Sequence, residues 1–356
     1  MTSTAEKTET AGKRCVISID AMGGDRGPAA VVAGISRSAS KNPDIAFILH
    51  GPEAELDRLV KKRKLSDRVT IVDAQNVVHM DDKPSQALRK GEGTSMWSAI
   101  ESVRNGDASV AVSCGNTGAL MLLSTVRLRK LPGVKRPAIA VLWPSTNPSG
   151  SNVMLDVGAD IKADENDLLQ YALMGASYAR NGFDIHRPRI GLLNVGTEEF
   201  KGRTELKTAS DLISHNADDA NFEYVGFVEG NDIPSNKVDV IVTDGFTGNI
   251  ALKSAEGTAK LIRGFLREAF NHSILSRLAT LLAYTSLRRL SNRIDPRRVN
   301  GGVFLGLNGT VVKSHGSADA TSIAAAVKLA LQLAQSDFNQ KLAARVASIT
   351  PPDQDQ

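Results

Sequence analysis

Five polar loops hold the residues of this chain that chemistry would use. They are Asp20-Ala-Met-Gly-Gly-Asp25, Ser113-Cys-Gly-Asn-Thr-Gly118, Asn194-Val-Gly-Thr-Glu-Glu199, Thr243-Asp-Gly-Phe-Thr-Gly-Asn249 and Lys313-Ser-His-Gly-Ser317. Bare backbone N–H groups at a helix N-terminus favour an anion, phosphate above all, through hydrogen bonds and the helix dipole. Any one such loop reads first as a plain strand-to-helix turn, because glycine serves turns. Five in one chain point instead to a polar cleft that suits phosphate. His315, in a Gly/Ser turn two residues after Lys313, can bind an anion, shuttle a proton or be held structurally. Cys114 reads as a small buried filler at a strand end rather than a nucleophile.

Other chemistries lack their motifs. No G-x-x-x-x-G-K-[ST] and no G-x-G-x-x-G after a strand occur, so nucleotide hydrolysis and a dinucleotide cofactor have no support. No H-E-x-x-H or Cys/His cluster points to zinc. Asp20 and Asp25 have the type for magnesium, but carboxylates in such turns cap helices more often. No metal is expected, and nothing in these residues calls for an organic cofactor. A net charge of +4, with no basic stretch interleaved with aromatics, gives no sign of nucleic-acid binding. Two cysteines, Cys15 and Cys114, are too few for a disulfide scaffold. The N-terminus lacks the apolar core of a signal peptide and no run of ~18 apolar residues occurs, so a reducing cytoplasm is expected.

The elements that position these loops follow from the pattern between them. The chain has 356 residues, 42% hydrophobic and 23% charged, a foldable composition. Short apolar runs lie at 15–19, 45–49, 69–72, 109–112, 139–142, 153–155, 190–194, 238–242 and 303–307. Helix-period stretches lie at 29–40, 53–63, 85–103, 119–129, 164–180, 204–215, 247–270 and 318–333, the last capped by Gly316 and Ser317. Several strands are apolar without alternation, as strands covered on both faces are. The alternation predicts an α/β fold, Rossmann-like and layered, with a largely parallel sheet and ligands at the strand C-termini. Residues 1–14 read as a disordered tail, 15–347 as the α/β catalytic domain and 348–356 as a polar tail.

Residues 261–300 stand apart. Eight arginines and two acidic residues make this segment +6, so the rest of the chain sums to −2. Apolar residues recur at helical spacing, and Asn271-His272-Ser273 reads as a break, which predicts a protruding amphipathic hairpin of two helices. Two readings stay open: an anionic membrane surface, or a dimer interface with solvated arginines. The patch is Arg277, Leu281, Leu282, Arg288 and Arg289, and its charge also suits an acidic carrier protein.

Seven segments together resemble one family. They are Ile19-Asp-Ala-Met-Gly-Gly-Asp25, Gly115-Asn-Thr-Gly-Ala-Leu120, Leu155-Asp-Val-Gly158, Gly191-Leu-Leu-Asn-Val-Gly196, Val228-Glu-Gly230, Asp239 to Lys253, and Lys313-Ser-His-Gly-Ser317. In this order they resemble the bacterial phosphate acyltransferase (PlsX) family. Asp160 stands where the family pattern has Asn, which puts a negative charge near an expected anion site.

The resemblance implies conversion of acyl-[acyl carrier protein] and inorganic phosphate to acyl phosphate and free carrier protein, for phospholipid synthesis. A membrane glycerol-3-phosphate acyltransferase would consume the product. It also implies a fold like phosphotransacetylases and isocitrate dehydrogenases, a homodimer, and peripheral association with the inner face of the cell membrane. On this reading Asn116, Lys313, His315 and Asp244 are catalytic. Gly23, Gly24, Asp25, Gly115, Thr117, Gly118, Asn249, Lys253 and Lys201 bind substrate, and the hairpin supplies the acyl groove. The rivals are a phosphotransacetylase using acyl-CoA and a catalytically silent membrane scaffold.

Overall fold

The computed structural model describes residues 15–294, 301–336 and 338–349. The expected tail 1–14, together with Asp295, Arg297, Arg298 and residues 350–356, lies outside them.

Among the described residues, eleven strands form one sheet. They are β1 (Cys15–Asp20), β2 (Ile45–Gly51), β3 (Val69–Asp73), β4 (Val110–Ser113), β5 (Ala138–Pro144), β6 (Ser151–Leu155), β7 (Arg189–Leu193), β8 (Glu223–Val228), β9 (Val240–Val242), β10 (Gly302–Leu305) and β11 (Thr310–Lys313). Their order is β3-β2-β1-β4-β11-β10-β5-β6-β9-β7-β8. Two parallel half-sheets, β3-β2-β1-β4-β11 and β6-β9-β7-β8, are joined through β10 and β5. The β11–β10, β10–β5 and β5–β6 pairs are antiparallel. Three reversals in a row leave the two halves running in opposite directions.

That reversal splits the polar loops between two edges of the sheet. Those after β1, β4 and β11 lie at one edge, whereas those after β7 and β9 lie at the other.

Side-chain alternation assigns each strand residue to one of two cores. Val110, Val112, Ala140, Val153, Leu155, Val303 and Val312 pack in the first. Ala111, Ile139, Met154, Phe304 and Val311 pack in the second. The first face is covered by α1 (Gly27–Ala39), α6 (Glu165–Phe183) and α11 (Ala320–Gln335), among others. The second is covered by α4 (Ser95–Arg104) and α5 (Thr117–Leu128), with Ala251 and Leu252 of α8 (Gly245–Asn271). Both faces being dry explains the apolar strands.

The remaining helices are α2 (Glu53–Lys62), α3 (Pro84–Lys90), α7 (Thr204–Asn216), α9 (Ile274–Leu282), α10 (Tyr284–Ile294) and α12 (Phe338–Ile349). The single helix expected over 85–103 is two, α3 and α4. Gly93 turns the chain at φ +81°, and Thr94 Oγ1 then caps α4 by accepting from Trp97 N–H. The cap of α11 is Asp319, whose Oδ1 accepts from Thr321 and Ser322 N–H, not Gly316 and Ser317.

The break expected at Asn271-His272-Ser273 is present, but a second break after Leu282 makes the segment after residue 260 three helices rather than two. α8 runs unbroken to Asn271, and Ser273 Oγ then caps α9 by accepting from Ser276 N–H. α10 follows as a third helix. Residues 348 and 349, expected in the tail, close α12.

Candidate active site

A cavity of about 580 Å³ opens on the second face, where the helix layer parts between α5 and α8 above β10 and β5. One wall is apolar: Ile139, Val141, Leu142 and Trp143 of β5, with Leu252 and Ala255 of α8. The polar lining is Thr117, Gly118, Asn249, Lys253, Lys313 and His315. The apolar wall therefore comes from β5 and the middle of α8, with no residue beyond Ala259 of α8 in the lining. Residues 261–294, expected to supply an acyl groove, do not line this cavity; Leu261, Gly264, Phe265 and Glu268 line another along α8.

Each polar residue arrives by a different route. α5 begins where β4 ends, and Asn116 caps it by accepting from Ala119 N–H. The Asn116 carbonyl takes Leu120 N–H, so the Thr117 and Gly118 amides are those of the first turn left to a ligand. The Asn116 amide group itself donates to the carbonyls of Met80 and Asp82. Its side chain is therefore engaged in holding the neighbouring loop.

Lys313 ends β11 beside this turn. Burial holds its ammonium well below the ordinary range, to about 8. Its Nζ donates to the Ser314 carbonyl. His315 follows, partly exposed, with a pKa lowered by burial. Ser317 N–H donates to its Nδ1 at 3.3 Å. A backbone amide can only donate, so the neutral ring carries its proton on Nε2.

Asn249 and Lys253 come from the other edge. α8 starts at Asp244, which caps it by accepting from Thr247 N–H and forms an ion pair with Arg203 at 2.5 Å. From Asp244 to Lys253 the helix climbs roughly 13 Å, which carries Lys253 across the face to Lys313 and His315. The first turn of α8 lies hard against the loop after β6. A Cβ on Gly245 would overlap the Asp160 carbonyl and the Asp156 carboxylate, and one on Gly248 the Asp156 carbonyl.

Asp156 is buried and accepts from the N–H groups of Ile139, Gly158, Ala159 and Asp160. Burial pushes it up to about 6 against those donors. Asp160 is ion-paired to Arg136, so its charge is compensated.

The Asp20 loop supports the site from beneath. Buried Asp20 accepts from Ser95 and Ser113 Oγ, and Ser113 Oγ accepts from Gly115 N–H. A Cβ on Gly23 would meet Gly115 N at 2.7 Å, and one on Gly24 the Gly316 carbonyl at 3.3 Å. Asp25 N–H donates to that same carbonyl at 2.9 Å. Gly23, Gly24, Asp25 and Gly115 thus join three loops without lining the cavity.

Lys201 is also outside the lining; exposed, it pairs with Glu198 at 2.8 Å. Asp244 is not in the lining either; it caps α8. Cys114 is buried, and its thiol is pushed up to about 11, which leaves it protonated.

Glu256 was not among the residues expected from sequence. It lines the cavity, accepts from Lys253 Nζ at 2.9 Å and lies 3.9 Å from His315 Nε2. Its position three residues after Lys253, on the same helix face, was the available signal. Among the described residues, no group of three or more His, Cys, Asp or Glu could hold a metal ion. None of the described helices is long and apolar enough to cross a membrane.

The family model described as "Fatty acid synthesis protein" matches residues 15–341. The phosphate acyltransferase of Ruegeria sp. (strain TM1040) is 69% identical over 356 residues, covering 100% of this chain and 95% of the relative. That of Paracoccus denitrificans (strain Pd 1222) is 72% identical over 337 residues, covering 94% and 91%.

Among solved structures, the chain is similar to a phosphotransacetylase from Streptococcus pyogenes, with a TM-score of 0.59 and 18% identity over 90% of this chain and 95% of the other. It is also similar to the EutD phosphotransacetylase from Staphylococcus aureus, with a TM-score of 0.58 and 15% identity over 91% and 95%. These two are likenesses of fold, and the layered α/β expectation agrees with them. The match of sequence along nearly the whole length carries more: the chain belongs to the phosphate acyltransferase family and is an acyltransferase.

Proposed function

We propose that this enzyme moves an acyl group from acyl-[acyl carrier protein] to inorganic phosphate, releasing acyl phosphate and the free carrier protein. One observation carries the reading: the same cavity is lined by anion-binding groups and by an apolar wall that suits an acyl chain. The names of the curated relatives support the phosphate half of the reaction.

The chemistry asks little of acids and bases. A phosphate oxygen attacks the thioester carbonyl; a C–O bond forms, the C–S bond breaks, and the electron pair leaves on sulfur. Phosphate is already ionised near neutral pH, and a thiol of pKa about 8.5 leaves readily. The site must instead hold the anion and stabilise the tetrahedral oxyanion. Lys313, Lys253 and the Thr117 and Gly118 amides hold phosphate. His315 donates from Nε2–H to a phosphate oxygen in the resting complex and to the oxyanion as the carbonyl is attacked. Asn249 orients the phosphate.

Asn116 and Asp244 are positioning residues on this reading, the first for α5 and the second for α8. Gly23, Gly24, Asp25 and Gly115 position the turn below, and Lys201 has no part in the cavity. The deciding measurement is thiol release from acyl-carrier protein with and without phosphate, run beside acyl-CoA. Release that ignores phosphate sinks the proposal, and preference for acyl-CoA makes the enzyme a phosphotransacetylase.

The arm after residue 260 supports an association surface. Ile274, Leu275, Leu281 and Leu282 are exposed, Leu282 at 90%, and Arg277, Arg288 and Arg289 are basic neighbours. We infer that it docks on the anionic inner face of the cell membrane, where a glycerol-3-phosphate acyltransferase would take up acyl phosphate. A second copy of the chain, in a homodimer, is the competing occupant.

A further inference from the structure

Glu256 lines the cavity from the middle of α8. Its Oε2 accepts a hydrogen bond from Lys253 Nζ at 2.9 Å and stands 3.9 Å from His315 Nε2. One carboxylate oxygen thus lies between an ammonium and an imidazole that carries its proton on the facing nitrogen. Those two side chains are among the groups that the cavity would offer to an anion. Among the described residues, each has Glu256 as its carboxylate partner within 4.0 Å.

The carboxylate is also free to leave. Its side chain is 32% exposed, and a change of rotamer on the helix surface takes it out to water without moving the backbone. An ion pair at such exposure is weakly held.

We propose that Glu256 is a built-in occupant of the anion seat, filling the place of a phosphate oxygen between Lys253 and His315 until inorganic phosphate displaces it. The proposal rests on reading the cavity as the seat of phosphate. It has two consequences. The resting site avoids setting Lys253 and Lys313 against each other without a counter-charge. The seat also discriminates: a simple carboxylate offers no more than Glu256 already does, whereas phosphate brings extra charge and acceptors.

Calorimetric titration of the full chain with inorganic phosphate tests this without any acyl donor. In Glu256→Gln the phosphate Kd is expected to fall about threefold, the scale of an exposed ion pair. Glu256→Asp keeps the charge and shortens its reach, and is expected to lie between wild type and Gln; it also serves if the Gln chain does not fold.

The His315 ring is a second readout, by NMR. It is faced by Glu256 and Lys253 from α8, Lys313 from β11 and Asp25 from the β1 loop. Of these, Glu256 is the first to favour its cation, so the ring should titrate at lower pH in Glu256→Gln. An unchanged or higher phosphate Kd overturns the proposal and leaves Glu256 a structural tether. Phosphate-independent thiol release would count against the reaction instead, and the two failures are separate.

Discussion

Ser317 N–H donates to His315 Nδ1, and this one bond fixes what the imidazole presents to the cavity. The neutral ring offers Nε2–H, a donor, and has no free lone pair there with which to take a proton. Burial lowers its pKa, which favours that neutral form.

His315→Ala is therefore expected to lower kcat by about 10²–10³, the scale for one lost oxyanion donor. His315→Gln, which can also present an N–H, should retain more activity than Ala. Steady-state rates at saturating phosphate decide it; equal loss in both variants would remove the donor role.

Lys313 gives a proton-linked prediction. Its folded pKa, about 8, lies below the ordinary 10.5. Above pH 8 the free chain has shed this proton, and a bound phosphate dianion pulls it back. At pH 9 phosphate binding should take up about one proton, seen by calorimetry in buffers of different ionisation enthalpy, and Lys313→Met should abolish the uptake. Between about pH 8 and 10.5 the unfolded chain binds more protons at this residue, so its contribution makes stability rise with pH. Uptake that survives in Lys313→Met would move the linkage to another group.

Two pairs of glycines on α8 predict opposite outcomes. Gly248→Ala and Gly245→Ala drive a methyl into the Asp156–Asp160 loop, and should destabilise by about 3 kcal/mol or more in thermal melts. Gly257→Ala and Gly264→Ala meet nothing within 4 Å and should stabilise by up to about 1 kcal/mol. A harmless Gly248→Ala would mean that α8 does not approach the loop after β6 so closely.

Arg288→Glu combined with Arg289→Glu tests the arm. Each basic residue near an anionic surface contributes about 1 kcal/mol, so reversing two should weaken co-sedimentation with anionic vesicles at least tenfold. Unaltered co-sedimentation, with a change of oligomer size on a sizing column, would assign the arm to a second copy.

The sequence made the strands with unbroken Val and Ile runs readable, and β4 and β9 are buried throughout. β8 escaped because Gly226 interrupts it at φ +84°, and β11 because it is four residues long between polar loops. Lys313, His315 and Asn249 were legible as residues of chemical type in glycine-rich loops, and Lys253 as one on the helix that follows. Their meeting was not, because strand direction is set by pairing between β10, β5 and β6, which local periodicity does not report. Asn116 and Asp244, catalytic on the family resemblance, are also of the type that caps helices, and local sequence does not separate the two uses of a short polar side chain.

The opposed half-sheets bear on where this chain can tolerate change in length. An insertion between Thr197 and Gly202 extends a loop at the edge away from Lys313 and His315, and reaches them only through the Arg203–Asp244 pair and the helix that Asp244 caps. The same insertion between Ser314 and Ser317 would displace the imidazole itself. Two glycine-rich loops that look alike in sequence therefore differ in how much variation each can absorb.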